Sequence, residues 1–195
     1  MTDDAAAAVD TGADLIGLNF VPDSPRRLDL RVAEAICERI GDAAERVAVF
    51  RDPSWDEVER VTRRIDLERI QLHGQESEED VEMLDLPVIK AIRGADLDAA
   101  TQYPGALLLL DHPTSGGGLG KTWNWSDAAD LIAEGYDVIL AGGLDPDNVG
   151  GAIEDLGDLL PWGVDVATGV EGEDYRKDRA RMEAFVAAVR AAEKG

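Results

Sequence analysis

The sequence is short of several things that would each have announced a function. It holds one cysteine, Cys37, in 195 residues, so no disulfide can close within the chain, and a reducing compartment, the cytoplasm, is expected. Histidine occurs only as His73 and His112, and without neighbouring cysteines the pair makes a poor metal site, so no metal is expected. No apolar run approaches the length needed to cross a membrane. The opening Met1-Thr2-Asp3-Asp4 has neither the positive region nor the apolar core of a secretory leader. Positive charge is the scarcest commodity: 19 Lys+Arg stand against 41 Asp+Glu, a net charge of -22. A chain this acidic repels nucleic-acid phosphates and anionic lipid, which excludes both as expected partners. Lysine appears only as Lys90, Lys121, Lys177 and Lys194, and the acidity runs the whole length rather than forming a tail. Diffuse acidity with little lysine suits a halophile's cytoplasmic protein, kept soluble where salt screens its self-repulsion.

What is present is a rhythm. With 45% hydrophobic residues the chain can bury a sizeable core, and its length suits one domain, residues 1–195. Short apolar runs alternate with longer amphipathic stretches. The runs predict strands at Asp14–Phe20, Arg46–Phe50, Arg69–His73, Val88–Ile92, Ala106–Asp111, Asp137–Ala141 and Gly163–Ala167. Several are apolar nearly throughout, as parallel strands buried on both faces must be. Between them, Leu30–Ile40 carries an apolar stripe, Ser54 or Asp56 starts the next helix, and Asp145-Pro146 stands in N-cap order. The last helix is expected over Asp178–Ala192, with Met182, Phe185, Val186 and Val189 at helical spacing. Alternating strands and helices imply right-handed βαβ units, hence an α/β fold. The expected architecture is a TIM (β/α)8-type barrel with seven strands visible, the chain opening on an Ala-rich helix instead of a first strand, and so N-terminally incomplete. A doubly wound open sheet is the rival, since it accepts any number of strands.

In either architecture chemistry gathers at the C-terminal ends of the strands. Those ends read Asn19, Arg26, Arg51, His73, Arg93, Asp111, His112, Gly142, Gly143, Thr168 and Gly169. Asp111 closes the run Ala106–Leu110 and is expected at an apolar mouth, where partial desolvation would fit it for general-acid work. The alternative is a strand-end Asp capping backbone amides. Gly142-Gly143 and Thr168-Gly169 end successive strands, and glycines let backbone N–H groups approach an anion closely. Two such loops after the last two strands suggest a phosphate site; the alternative is a pair of tight turns. Arg26 fits bidentate grip on a carboxylate, or is a solvated loop charge. The glycine-rich run after Asp111 is not a nucleotide loop, because the first glycine of GxxxxGK[ST] would fall at Ser115; it is read as a mobile substrate cover. Cys37 sits in a helical pattern and is read as core, and the four tryptophans lie near element boundaries, where wedge packing is expected.

In order along the chain, GADLIGLNFVPDSPRRL (Gly12–Leu28), VAVFRDPS (Val47–Ser54), IQLHGQES (Ile70–Ser77), VIKAIR (Val88–Arg93), LLLD with GGGLGKTWNW (Leu108–Trp125), LAGGLDPDNV (Leu140–Val149) and GVDVATGVEG with KD (Gly163–Asp178) resemble the phosphoribosylanthranilate isomerase family of tryptophan biosynthesis. The resemblance implies a cofactor-free barrel enzyme acting on one small molecule. Its reaction is an Amadori rearrangement of N-(5-phosphoribosyl)anthranilate to 1-(2-carboxyphenylamino)-1-deoxyribulose 5-phosphate. It further implies Asp111 as general acid, Arg26 on the anthranilate carboxylate, and Gln71, His73 and Asp165 as substrate contacts. Gly142, Gly143, Thr168 and Gly169 fall on the phosphate loops. Where this family has two small hydroxyl residues, the chain has Ala167-Thr168. The family opens on a strand ending in a Lys-Ile-Cys-Gly type motif whose cysteine is the general base; this sequence starts at Met1 without it, and Cys37 is in the wrong element to serve. An unfilled strand position would also favour a homodimer. Two other readings follow: a degenerate member that binds a sugar phosphate without efficient turnover, and an indoleglycerol-phosphate synthase relative. The last needs a Lys/Glu pair at strand ends, for which Lys90 is the one candidate lysine.

Overall fold

The computed structural model describes residues 1–113 and 122–194; the glycine-rich run read above as a substrate cover lies outside the described residues. The chain divides into two compact units, Met1–Ile89 and Lys90–Gly195.

The first unit opens with α1 (Thr2–Thr11), then β1 (Leu15–Asn19), α2 (Leu30–Ile40), β2 (Glu45–Phe50), α3 (Trp55–Thr62), β3 (Arg69–Leu72), α4 (Glu78–Glu82) and the start of β4 (Val88–Arg93). Its strands pair in parallel, Gly17 beside Val47 and Val49 beside Gln71, so the C-terminal ends of β1, β2 and β3 lie side by side. The helices begin where the sequence offers caps. Asp29 Oδ1 accepts from the Val32 amide at 2.9 Å, and Ser54 Oγ from the Glu57 amide at 3.3 Å; such a cap contributes about 1 kcal/mol. α2 buries Ala33, Ile36 and Ile40 on the stripe the sequence shows, and they join Leu18, Phe50 and Ile70 in one core. Phe20 and Phe50 stack there with centroids 5.5 Å apart.

At the opposite strand ends, two arginine–glutamate pairs fasten β2 to β3. Arg69 Nε meets Glu45 Oε2 at 2.6 Å. Arg46 binds Glu68 with two guanidinium nitrogens and its own amide, Nε to Oε2 at 3.1 Å. The hydrogen bond from Arg46 holds the Glu68 carboxyl below its ordinary range. A carboxylate whose folded pKa is depressed adds stability above its unfolded pKa, and loses it as pH falls through the folded value. Glu68 is about one-third exposed, so the net worth is set at about 1 kcal/mol after screening. Glu68→Gln is therefore expected to lower Tm by roughly 2–4 °C at pH 7 in moderate salt. The gap to the parent should close as pH falls from about 5 toward 3, and a gap independent of pH would refute the ion-pair account.

The second unit carries the rest of β4, α5 (Leu97–Ala100), β5 (Leu107–Asp111), a 3-10 turn at Trp125–Asp127, α6 (Ala128–Ala133), β6 (Val138–Leu140), α7 (Val149–Glu154), β7 (Gly163–Val164), 3-10 turns at Thr168–Val170 and Glu173–Tyr175, and α8 (Arg179–Ala192). β5, β6 and β7 are parallel, with Leu109 beside Ile139 and Leu140 beside Val164. Leu108, Leu110, Val138 and Leu140 are fully buried, as strands covered on both faces require.

All seven predicted strands form; β2 and β4 run one residue longer than predicted, β1, β3, β5 and β6 are trimmed by one or two residues, and β7 loses three. β7 is the most reduced. Its ladder continues only through the Asp165 amide, which donates to the Leu140 carbonyl at 2.8 Å, before the chain turns at Thr168. Asp145 does not start a helix at Pro146. Its Oδ1 accepts from the Asp147 and Asn148 amides, making a local turn, and α7 begins only at Val149. Of the four tryptophans only Trp125 is buried, as wedge packing expects; Trp123 is half-buried, and Trp55 and Trp162 are 50% and 45% exposed. No helix is long and apolar enough to cross a membrane among the described residues.

Candidate active site

In the second unit the expected residues come together around the end of β5. Asp111 is half-buried, and one carboxylate oxygen accepts its neighbour's amide, His112 N to Oδ1, at 2.8 Å. The strand-end capping role is thus occupied at one oxygen. Gly142, at the end of β6, has φ +77, and a Cβ there would stand 2.7 Å from the His112 amide nitrogen, 3.0 Å from Trp123 Nε1 and 3.1 Å from Asp111 Oδ1. Only glycine lets this backbone lie against the Asp111 carboxylate in that conformation. Trp123 and Trp125 explain how the chain returns here: both indole N–H groups donate to the Ala141 carbonyl, at 3.0 and 2.9 Å.

The two glycine loops of the sequence are one packed structure. A Cβ on Gly169 would fall 2.0 Å from the Leu144 carbonyl oxygen and 2.8 Å from Asp145 Cα. The Gly143 carbonyl is taken by Asn148 Nδ2 at 3.0 Å, and Asn148 Oδ1 accepts the Asp145 amide at 2.8 Å. Gly169→Ala must displace backbone, not a flexible tip, so it is expected to cost about 1–3 kcal/mol. Calorimetry would check it, and an unchanged Tm would show that the loops separate readily.

Asp165 follows β7. Crowding by surrounding atoms pushes its carboxyl upward, Lys177 pulls it down, and Asp111 pushes it up again. The residue nevertheless keeps solvent-exposed surface, and retained hydration makes the upward push smaller than full burial would give. Lys177 was not singled out from the sequence. Its ammonium reaches the Ala167 carbonyl at 2.7 Å and Glu171 Oε1 at 3.0 Å. Its sequence signals were rarity, one lysine of four, and its place in the KD pair of the Gly163–Asp178 stretch.

In the first unit the polar groups sit at the adjoining ends of β1, β2 and β3. Asn19 Oδ1 accepts the Val21 amide at 2.9 Å, turning the chain into the loop that carries half-buried Arg26, whose amide donates to Ser24 Oγ at 3.2 Å. Gln71 is buried and its amide nitrogen hydrogen-bonds Nε2 of His73. Sequence reasoning missed the support behind His73. The buried Glu76 carboxylate accepts the Asp52 amide at 2.8 Å and the Gly74 amide at 2.9 Å, while Asp52 Oδ1 accepts the Gln75 amide at 2.6 Å. This reciprocal clasp joins the loops after β2 and β3.

Two sequence-level alternatives are decided by placement. Lys90 is not at a strand end: it is the third residue of β4, 1% exposed, with its ammonium on the Ala91 carbonyl and 5.2 Å from the Tyr103 ring centroid. Cys37 packs against the first unit's core, and burial pushes its thiol up, the reverse of what a nucleophile or base needs.

The family model for N-(5'-phosphoribosyl)anthranilate (PRA) isomerase matches residues 1–188. A relative of that name from Pseudomonas putida (strain GB-1) is 41% identical over 197 residues, covering 97% of this chain and 93% of the relative. The crystal structure of the Thermus thermophilus phosphoribosyl anthranilate isomerase is 34% identical with a TM-score of 0.87, covering 98% of this chain and 94% of the other. A further crystal structure of such an isomerase, in complex with reduced 1-(o-carboxyphenylamino)-1-deoxyribulose 5-phosphate, is 28% identical with a TM-score of 0.86 and covers 98% and 94%. The α/β, TIM-barrel-type fold expected from the strand rhythm is the fold shared with these structures.

Proposed function

The chain belongs to the N-(5'-phosphoribosyl)anthranilate isomerase family, and from that premise we propose that it carries out the family's redox-neutral rearrangement in tryptophan biosynthesis. The substrate's furanose ring opens as an acid protonates the ring oxygen; a base then removes the C2 proton, and the aldose carbon skeleton becomes a 1-amino-1-deoxyketose. Asp111 is the acid in this reading, with its carboxyl held in place through the His112 amide. Arg26 takes the anthranilate carboxylate, for which a planar guanidinium offers two parallel donors. Gln71, His73 and Asp165 are substrate contacts. Gly142, Gly143, Thr168 and Gly169 bind the phosphate, and the observation that carries this part is the contact of the two loops at Gly169 and Leu144. The related isomerase whose crystal structure holds the reduced product analogue has a ligand with both a carboxylate and a phosphate, the two groups this assignment serves.

The test is a single-turnover assay with freshly prepared substrate. Substrate and product have equal mass, so loss of anthranilate-type fluorescence and chromatographic retention are followed. Formation of the rearranged ketose supports the reading; unchanged substrate with enzyme in excess would overturn it.

Cys37, in α2 with its pKa pushed up, is assigned no catalytic role in this reading. The cell setting proposed is a salt-rich cytoplasm, supported by the net charge of -22. A homodimer belongs to the same reading, supported by exposed Leu160 and Trp162 in the second unit. Sedimentation and Tm across potassium chloride concentrations test both together; a monomer with salt-independent Tm would remove them.

A further inference from the structure

The loop after β7 is fastened from behind by a short hairpin. Glu171 and Lys177 form an antiparallel bridge, and the Gly172 amide donates to the Arg176 carbonyl at 2.9 Å. The Asp178 amide returns to the Val170 carbonyl at 2.8 Å, and Arg181 Nη1 reaches the Glu171 carbonyl at 3.2 Å. Inside the hairpin the Glu171 side chain is 5% exposed and faces the Lys177 ammonium at 3.0 Å. The ammonium also donates to the carbonyl of Ala167, at 2.7 Å.

Ala167 immediately precedes Thr168 and Gly169. There are no cis peptides among the described residues, and across a trans peptide the carbonyl and the following N–H point in opposite directions. Whatever holds the Ala167 oxygen therefore sets the direction of the Thr168 N–H. An anion site needs the N–H ends of its peptides turned inward and the carbonyl ends turned away, since a carbonyl oxygen facing a phosphate repels it. A cation placed on the Ala167 carbonyl does this, with the nearly buried Glu171 as its ion-pair partner; the same ammonium also acts on the Asp165 carboxyl.

We propose that Lys177 is the positioning residue of the phosphate loop, pinning the Ala167 carbonyl with Glu171 as its buried counter-charge, so that the Thr168–Gly169 segment presents amides to a phosphate monoester. The inference rests on the phosphate reading of Thr168 and Gly169.

The test uses inorganic phosphate and the full chain, isotopically labelled for amide NMR. In the parent, the Thr168 and Gly169 amides shift saturably with phosphate. Lys177→Met is expected to weaken the apparent affinity by about tenfold or more and to lose the Thr168 shift, while Lys177→Arg, which keeps a donor cation, stays within about threefold of the parent. A structural role alone would not predict that rescue with the remaining amide spectrum unchanged. Lys177→Met binding phosphate as the parent does, with the same Thr168 shift, overturns the proposal and leaves the phosphate site standing. If Lys177→Met does not fold, Glu171→Gln decides: roughly threefold weaker binding with intact amide dispersion supports the pin, and unchanged binding removes it. A parent in which no amide of Gly142, Gly143, Thr168 or Gly169 responds to phosphate overturns the site itself, and the inference with it.

Discussion

Asp111→Asn is expected to slow the rearrangement by roughly 10²–10⁴-fold, the usual contribution of a positioned general acid, while leaving substrate affinity and Tm near those of the parent. The substitution suits the question because it is nearly isosteric. Asn Oδ1 still accepts the His112 amide that now binds Asp111 Oδ1 at 2.8 Å, so the end of β5 keeps its capped turn. What is lost is an ionisable proton at the position proposed to protonate the ring oxygen. Gly142 lies against the same carboxylate through a position where no Cβ fits, so the group has little freedom to be replaced by a neighbour. Enzyme in excess over substrate makes even a slow step measurable. A loss carried by kcat with KM unchanged is the signature of an interaction made in the transition state alone. A rate within about threefold of the parent would remove Asp111 from the acid role and turn attention to its neighbour Asp165, whose carboxyl is electrostatically coupled to it.

Much of the fold was legible because hydrophobic periodicity and chain punctuation report what an element must bury. Leu30–Ile40 forms as predicted since Asp29 caps its start and a buried stripe of Ala33, Ile36 and Ile40 fixes its face. LLLLD becomes β5 for the same reason, and its terminal Asp follows from strand order alone. The parts not legible are contacts made between loops. The Glu76 clasp joins residues 24 positions apart, Asp52 and Glu76, and nothing in local composition says that a glutamate after QLHG is buried. The Lys177 pin depends on which way one carbonyl faces. Asp145-Pro146 misled because an Asp before a Pro satisfies both a helix cap and an Asx turn, and the Asn148 amide decided for the turn. Exposed Trp55 shows the converse: a large apolar residue at a helix start carries no instruction about burial when the adjoining polar cap already fixes the chain.

The thiol of Cys37 is expected to take no part in the rearrangement, because its surroundings keep it protonated. Abstracting a carbon-bound proton needs the thiolate, and the environment of Cys37 works against it. Burial pushes the Cys37 pKa up; Arg46 opposes this, but Glu68 and Asp66 reinforce it. The side chain also belongs to α2 and packs on the first unit's core, near Arg46 and Glu68 at the starts of β2 and β3 and not at the strand ends that carry His73 and Arg26. Cys37→Ser should therefore change turnover by less than about twofold, and thiol reagents should modify Cys37 slowly at neutral pH. A loss of roughly 10²-fold or more would place the base at Cys37; with turnover unchanged, a scan of Asp165, His73 and His112 is the next step.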